Sequence, residues 1–187
     1  MQNGLVNKVK RPVSALSELA LKGAGFVHTD PADWVMQFMP EEDCTRILKI
    51  GGEDTRIIGR LMRRYTRAKI TAAESSLESV KKVVKDNKTF VDAGRCDVFK
   101  ADAAILPVED EKFDLAVAVD SSGVTADTES CVKEVYRALK PGGMFIIAAA
   151  KCNKTENIAD CLQRAGFARA EAMRHIKLPW TAIAAQK

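Results

Sequence analysis

The sequence predicts an α/β fold of the Rossmann-like, doubly wound class, with a mostly parallel seven-stranded sheet and a C-terminal antiparallel hairpin. Short apolar, β-branched runs alternate with segments whose apolar residues recur at helical spacing, and this alternation begins near residue 45. Residues 167–176 and 180–186 are then predicted as two strands with no helix between them. Two consecutive strands joined by so short a connection must pair as a hairpin.

Length, charge and cysteine content limit the classes of function. The 187 residues suit one sizeable core, and a net charge of +4 is too small to indicate a nucleic-acid partner. There is neither a signal-peptide core nor an apolar run of about 18 residues, so no membrane span is predicted. The five cysteines form no CxxC pair, which predicts reduced thiols in a cytoplasmic protein. His28 and His175 lack metal-ligand spacing, so no metal site is predicted.

Residues 1–44 are predicted to form an N-terminal helical cap or arm, which precedes the α/β domain at residues 45–187. One helix is expected after Pro12. A second is expected over residues 31–39, with Asp30 as its N-cap. The buried face of this second helix is predicted to consist of Trp34, Val35 and Phe38.

Within the α/β domain, strands and helices are predicted to alternate five times before the hairpin. The predicted strands are 47–50, 69–74, 96–101, 113–119 and 144–149. The helices between them are predicted to begin at Thr55, at Ser75, at Asp127 or Thr128, and at Asn153 or Thr155. The helix that follows Ser75 is expected to bury Leu77, Val80, Val83 and Val84.

The first strand leads into a glycine turn, and the pattern of strand, glycine turn and helix opens a nucleotide-type βαβ unit. Gly51 and Gly52 interrupt the apolar run and permit the turn. Lys49 precedes them inside a strand predicted to be buried, where a lysine usually finds a carboxylate. Glu74 or Asp120, at the ends of neighbouring strands, is the expected partner.

Arginines cluster on the helix that follows this turn. A solvated helix face is the favoured interpretation, and a patch for a phosphate or an acidic partner is the alternative. The arginines are Arg56, Arg60, Arg63, Arg64 and Arg67.

The segment from Asp102 to Gly143 resembles the class I S-adenosylmethionine-dependent methyltransferases. It combines an acidic residue, a Leu-Pro pair, a Phe-Asp-Leu strand and a Leu-Lys-Pro-Gly-Gly turn. The terminal hairpin also matches the sixth and seventh strands of that family. The resemblance covers residues 45–187 and implies S-adenosylmethionine as the cofactor.

The resemblance also implies a cofactor site at the strand ends. In the family, the glycine turn cradles the methionine part, the acid that ends the second strand binds the ribose hydroxyls, and the acid after the third strand binds the adenine amino group. A carboxylate is a good acceptor for such protons. The end of the fourth strand often carries substrate-facing groups, although a polar loop is the favoured interpretation there. No catalytic residue is implied. The matching residues are Gly51, Gly52, Glu74, Asp102, Ala103 and Asp120.

The glycine turn departs from the family pattern of an acid followed by three alternating glycines. Lys49 replaces the acid, and Glu53 and Thr55 replace the second and third glycines. Glu53 brings a negative charge to the expected place of the cofactor's carboxylate, and like charges at close range cost roughly a kcal/mol or more. We therefore expect weakened cofactor binding.

Two functions remain open. The first is a non-catalytic, weakly cofactor-binding domain that interacts with a protein partner, and the altered turn favours it. The second is an active methyltransferase for a small-molecule substrate, which the intact Glu74 and Asp102 favour.

Overall fold

A computed structural model of the protein describes residues 30–52, 54–121, 124, 127–150, 155–175, 177 and 179–187. Its central feature is a seven-stranded sheet. The strands are β1 (Arg46–Ile50), β2 (Lys69–Glu74), β3 (Cys96–Lys100), β4 (Phe113–Val119), β5 (Leu139–Ala150), β6 (Arg169–Arg174) and β7 (Trp180–Gln186).

Helices flank the sheet. They are α1 (Pro31–Val35), which continues as a 3₁₀ turn at Met36–Phe38, α2 (Arg56–Arg64), α3 (Leu77–Asp86), α4 (Lys88–Asp92), α5 (Thr128–Ala138) and α6 (Thr155–Ala165). Asp127 caps α5 by accepting a hydrogen bond from the Ser130 amide, as the sequence predicts.

The strand order is β3-β2-β1-β4-β5-β7-β6, which confirms the predicted mostly parallel sheet. β1 to β5 pair in parallel, whereas β7 is antiparallel to both β5 and β6, as the predicted hairpin requires. The chain builds outward from β1 in one direction and from β4 in the other. In open α/β sheets, ligands bind in the crevice at such a reversal, at the carboxyl ends of the strands.

The core has two layers, one on each face of the sheet, because successive strand residues point to opposite faces. Ile47 of β1 joins the layer that contains α1 and α2. Leu48 and Ile50 join the other layer, which contains α5 and α6. Lys49 alternates with these residues, so its side chain shares the face of Ile47.

The prediction for the N-terminal segment is confirmed in part. Asp30 caps α1, since its Oδ1 accepts a hydrogen bond from the Ala32 amide at 2.9 Å. The three expected face residues, Trp34, Val35 and Phe38, are buried in the layer with α2. The α-helix is shorter than predicted because it tightens into the 3₁₀ turn. The helix expected after Pro12 lies outside the described residues, and the division at residue 44 stays a prediction.

Three local predictions are wrong. The cap of α3 is Ser76, whose Oγ accepts from the Ser79 amide at 3.0 Å, and not Ser75. Leu77 therefore opens the helix with its side chain exposed, while Val83 is buried as expected. β5 starts five residues before the predicted Met144, because Leu139 already pairs with Phe113 ahead of a shift in register.

Candidate cofactor site

A buried ion pair lies where the resemblance places the ribose-binding carboxylate. Lys49 and Glu74 are each only 2% exposed, and the Lys49 ammonium donates a hydrogen bond to the Glu74 carboxylate. Lys49 Nζ also donates to the carbonyl of Gly52 at 3.3 Å. Adjacent parallel strands bring the two residues together, since Lys49 in β1 pairs in register with Ala72 of β2. The prediction of a carboxylate partner for Lys49 is confirmed, and of the two candidates it is Glu74.

The pairing explains how two charged side chains can both be buried. Each charge alone loses its hydration on burial, and only a well-placed partner offsets that loss. The Glu74 carboxylate is therefore engaged by a cation of the protein itself. The same Lys49 ammonium also binds the carbonyl of Gly52 in the glycine turn.

The glycine turn is shaped by its contact with the end of β4. Gly51 and Gly52 have φ of +46° and +91°, in the left-handed region that glycine tolerates best. A Cβ on Gly52 would lie 2.1 Å from the carbonyl oxygen of Val119, and one on Gly51 would lie 2.6 Å from Ser121 Oγ. Both glycines are thus required by the close approach of the protein's own β4 end.

Ser121 lies against the glycine turn, a contact that the sequence does not predict. It is buried, and within the described part of the chain its Oγ has no hydrogen-bond partner. The preceding residue, Asp120, is exposed and has φ of +50°, while its amide donates to the carbonyl of Ala148 at 2.7 Å. Sequence alone gives no sign of this turn, because a polar pair after a strand usually begins an exposed loop.

Thr55, which stands at the third glycine position, is anchored away from the crevice. Its Oγ1 donates to Asp86 Oδ2 at 2.8 Å, and its carbonyl accepts a hydrogen bond from the Asn87 amide group at 3.3 Å. Both partners lie at the C-terminal end of α3. Glu53 lies outside the described residues, so its expected repulsion of the cofactor stays a prediction.

The loop after β3 is held by α5. Asp102 is exposed and its Oδ1 accepts from the Ala104 amide at 2.9 Å, while Ala103 is buried. Further along the loop, Leu106 donates its amide to Glu134 at 2.9 Å and accepts at its carbonyl from Arg137 at 3.0 Å. The pKa of Glu134 is lowered, chiefly by its hydrogen bond with the Arg137 guanidinium. The Glu-x-x-Arg spacing on one helix face is the sequence signal that could have indicated this clamp.

Arginines of α2, together with Arg67 just after it, bind the N-terminal segment to the domain. Arg60 donates to Asp33 at 2.5 Å and to Asp30 at 3.0 Å, and Arg64 donates to the carbonyl of Pro40 at 3.1 Å. Arg67 pairs with Asp43 in the same way. Arg64 and Arg67 are exposed, in agreement with the favoured prediction of a solvated face, whereas the Arg60 side chain is only 13% exposed and departs from it. All three bind residues 30–43 of the same chain.

Three of the described cysteines are buried thiols that resist ionisation. Burial raises the thiol pKa to about 11 for Cys44 and Cys96 and to about 12 for Cys131, which disfavours the thiolate. Over the described ranges, no cluster of metal-ligating side chains occurs. Within those ranges, no helix combines the length and the apolar character needed to cross a bilayer. The cytoplasmic location stays a prediction.

The sheet order and the glycine turn together define the class of protein. An open sheet of order β3-β2-β1-β4-β5-β7-β6, with an antiparallel β7 and a glycine turn after β1, is the Rossmann-like methyltransferase fold. The sequence profile of the methyltransferase domain family matches residues 48–147. The chain therefore belongs to that family.

Curated relatives match over only part of their length. The chain is 30% identical over 88 residues to cycloartenol-C-24-methyltransferase 1 of Oryza sativa subsp. japonica, a match that covers 47% of this chain and 26% of that protein. It is 39% identical over 64 residues to sterol 4-C-methyltransferase strm-1 of Caenorhabditis elegans, which covers 33% and 19%. The chain thus matches about a quarter or less of each of these two relatives.

Solved structures share the fold. A putative sarcosine dimethylglycine methyltransferase from Galdieria sulphuraria has a TM-score of 0.69 at 13% identity, with 83% of this chain and 84% of that chain covered. The [4+2]-cyclase SpnF also has a TM-score of 0.69, at 17% identity, with 92% of each chain covered. At these identities the likeness establishes the fold, and function has to be argued from the site.

Proposed function

We propose that this methyltransferase-family domain does not hold S-adenosylmethionine in the ordinary manner of its family and instead acts as a module that binds a protein partner. The buried Lys49–Glu74 ion pair is the observation that carries the proposal. The carboxylate expected to accept the ribose hydroxyls is bound to an ammonium group and is 98% buried.

The rest of the glycine turn is held by contacts within the protein. Ser121 Oγ lies close to where a Cβ on Gly51 would be placed. The carbonyl oxygen of Val119 lies close to where a Cβ on Gly52 would be placed. Neither glycine therefore has room for a side chain on that side, and the end of β4 fixes the shape of the turn. Thr55 is turned toward α3 by its bonds to Asp86 and Asn87.

The expected loss of affinity is large. A hydrogen bond to a charged group contributes roughly 1.5–3 kcal/mol, and each 1.4 kcal/mol is about tenfold in affinity. Loss of the two ribose contacts at Glu74 alone would shift a micromolar site toward about millimolar. A domain with that affinity would be mostly free of cofactor at ordinary concentrations.

Two exposed apolar residues are candidate contacts of the proposed partner. Among the described residues, the large apolar side chains that stand exposed are Leu77, at 63%, and Ile105, at 76%. They follow β2 and β3, whose carboxyl ends lie side by side at one edge of the sheet. Contiguous apolar patches mark partner surfaces, whereas single exposed apolar side chains are ordinary, so Leu77 and Ile105 are the positions at which a partner contact is to be tested.

Calorimetric titration with S-adenosylmethionine and S-adenosylhomocysteine tests the proposal. We expect no binding by the wild type at micromolar concentrations. Lys49→Met removes the cation and releases the Glu74 carboxylate, so measurable affinity should appear in that variant. The matched control is the double variant Lys49→Met with Glu74→Gln, which lacks both charges and should bind no better than the wild type.

The outcomes separate the two functions left open by the sequence. Micromolar binding by the wild type would overturn the proposal and favour the enzyme. Circular dichroism of each variant shows whether a lack of binding reflects unfolding. Glu53→Gly, titrated in parallel, tests the independent sequence prediction that this side chain repels the cofactor.

The second candidate function is an active S-adenosylmethionine-dependent methyltransferase for a small molecule. The curated sterol methyltransferases that match this chain favour it, as does Asp102, whose carboxylate stands exposed after β3. Incubation with methyl-labelled S-adenosylmethionine and cycloartenol tests it. Label transferred to the sterol would establish this function, and label that stays on the donor would leave the first candidate in place.

A further inference from the structure

Strand β6 forms one edge of the sheet, and in the described part of the chain no strand pairs with its outer side. Over Arg169–Arg174 it pairs with β7 in an unbroken register. Natural proteins often protect an edge strand with a proline or a β-bulge, and this stretch contains neither. A regular edge of this kind can pair with a strand of another chain.

The outer side of β6 presents the backbone groups of alternate residues. The His175 amide donates to the carbonyl of Trp180 at 2.9 Å, in continuation of the β6–β7 register. Residues of an antiparallel strand alternate between bonding the paired strand and pointing away from it. The amides and carbonyls of Ala170, Ala172 and Arg174 therefore point to the free edge. The small alanine side chains leave room for another strand to approach.

The charged residues of β6 are divided between the two faces of the sheet. Glu171 lies opposite Ala184 of β7, which belongs to the core layer that contains α1 and α2. Arg169, two residues earlier, shares that face, whereas Arg174 lies on the other face. Arg169 and Arg174 are exposed, and Glu171 is half-buried. One face of the edge therefore carries a cation and an anion two residues apart.

This spacing makes the edge complementary to a second copy of itself. When two copies of a strand pair about a two-fold axis, one residue faces its own copy, and residues that oppose each other share a face. With the axis at Ala170, Arg169 of each copy faces Glu171 of the other. With the axis at one of the next three residues, Glu171 faces instead its own copy, Met173 or His175. Charge therefore favours the register about Ala170.

The opposite edge of the sheet lacks this complementarity. The exposed charged residues of β3 are Asp97 and Lys100, whose spacing of three places them on different faces. Because residues that oppose each other across the two-fold axis share a face, Asp97 cannot face Lys100 of a second copy. The match of charges between two copies is thus a property of β6 and not of both edges.

We infer that β6 is a dimerisation edge, at which a second copy of this chain pairs in antiparallel fashion about Ala170. Two main-chain hydrogen bonds join Ala170 to its copy, and two ion pairs between Arg169 and Glu171 flank them. Glu171 also interacts within its own chain, and a carboxylate can accept from several donors. The inference goes beyond the proposed function, because β5 and β7 separate β6 from β4 and the crevice.

Sedimentation equilibrium of the full chain tests the dimer. An edge-to-edge interface is small, so we expect a dissociation constant of about 10–100 μM. Arg169→Glu opposes two carboxylates and Glu171→Arg opposes two guanidinium groups, so each should weaken the dimer by about tenfold or more. Arg174→Glu is the matched control, since it makes the same change of charge as Arg169→Glu on the other face. It should change the dissociation constant by no more than about twofold.

A mixture of the two weakened variants tests the register. In a mixed dimer of Arg169→Glu with Glu171→Arg, both facing pairs again join an anion to a cation. An equimolar mixture should therefore dimerise about as tightly as the wild type, although each variant alone is mostly monomeric. A surface that merely responds to net charge could not distinguish Arg169 from Arg174.

Amide hydrogen exchange below and above the dissociation constant gives an independent measurement on the wild type. The Ala170 amide points to the free edge, so its protection factor should rise by about fivefold or more on dimerisation. The Met173 amide bonds β7 in both states and should keep its protection.

Three results would overturn the dimer. They are a wild type that stays monomeric well above that dissociation constant, equal weakening by Arg169→Glu and Arg174→Glu, and a monomeric mixture of the two weakened variants. Circular dichroism shows whether each variant is folded. If a charge variant does not fold, the wild-type mass and the exchange of the Ala170 amide decide. No measurement involves S-adenosylmethionine or another protein, so failure here is distinct from failure of the proposed function.

Discussion

At the scale of single residues, the replacement of an acid by Lys49 changes what the neighbouring carboxylate does. In the family pattern, the acid ending the second strand is available to a ligand. Here Glu74 neutralises a buried ammonium. One substitution in β1 therefore affects a residue on β2, and the two are coupled energetically because each is costly to bury without the other.

This coupling predicts strongly non-additive effects on stability. Glu74→Met alone should destabilise the protein by about 3–5 kcal/mol, since it leaves the Lys49 charge buried and unpaired. Lys49→Met combined with Glu74→Met should cost far less than the sum of the single changes, because an apolar pair of similar volume needs no hydration. Urea unfolding of the three variants and the wild type gives a double-mutant cycle, which measures the interaction energy between the two residues. Additive single effects would contradict the coupling.

Asp114 is a second residue with a large structural role, and its contribution to the stability of the fold depends on pH. Its carboxylate accepts hydrogen bonds from the Thr45 amide and hydroxyl, the Arg46 amide and, at 2.6 Å, Lys140 Nζ. Partial burial alone would raise its pKa, but these hydrogen bonds outweigh burial and hold the pKa below its ordinary 3.8.

A lowered carboxyl pKa gives stability that is complete above the unfolded pKa and is lost as pH falls through the folded one. We expect Asp114→Asn to cost roughly 1–3 kcal/mol at pH 7, with the gap to wild type narrowing below about pH 4. Urea unfolding from pH 3 to pH 7 checks this. Asp97→Asn is the matched control, since among the described residues that carboxylate forms an exposed pair with Lys69 and no other ion pair. A gap that stays constant down to pH 3 would contradict the assignment.

At the scale of elements, the sequence predicts the bounds of strands and helices that have strong periodicity. It does not predict a boundary that depends on a tertiary contact. β4 is predicted at its observed bounds because six of its seven residues are apolar and buried, and the seventh, Asp114, is half-buried. The early start of β5 is not predictable, because Pro141-Gly142-Gly143 is typical of a turn and only the pairing of Leu139 with Phe113 extends the strand.

The site shows the same division between local and tertiary information. The sequence predicts either Glu74 or Asp120 as the partner of Lys49, because the ends of parallel strands meet at one edge of the sheet. The contact between Ser121 and Gly51 is not predictable from the sequence, because it joins the turn after β4 to the turn after β1, about seventy residues away along the chain. The ion pairs of Arg60 and Arg67 with the N-terminal segment are not predictable, because no periodicity in the sequence reveals where that segment packs.

At the scale of the whole molecule, the described part of the N-terminal segment is packed as part of the core. Trp34 and Phe38 meet edge to face with ring centroids 5.0 Å apart, inside the layer shared with α2. Trp34 also lies 5.3 Å from the ring of His175, beyond the end of β6. The segment thus connects α2 to the C-terminal hairpin, two parts of the domain that are distant in sequence.

Removal of residues 1–44 should therefore expose apolar surface and destabilise the domain. Burial of Trp34, Val35 and Phe38 contributes roughly 1.5–3 kcal/mol each, and the partners of Arg60 and Arg67 are lost as well. The matched control lacks residues 1–29 and keeps every described residue of the segment. We expect the longer truncation to melt at least about 10 °C below the control and to be less soluble. Equal melting temperatures and equal solubility would show that residues 30–44 are a dispensable arm, and that the arginines of α2 gain nothing from them.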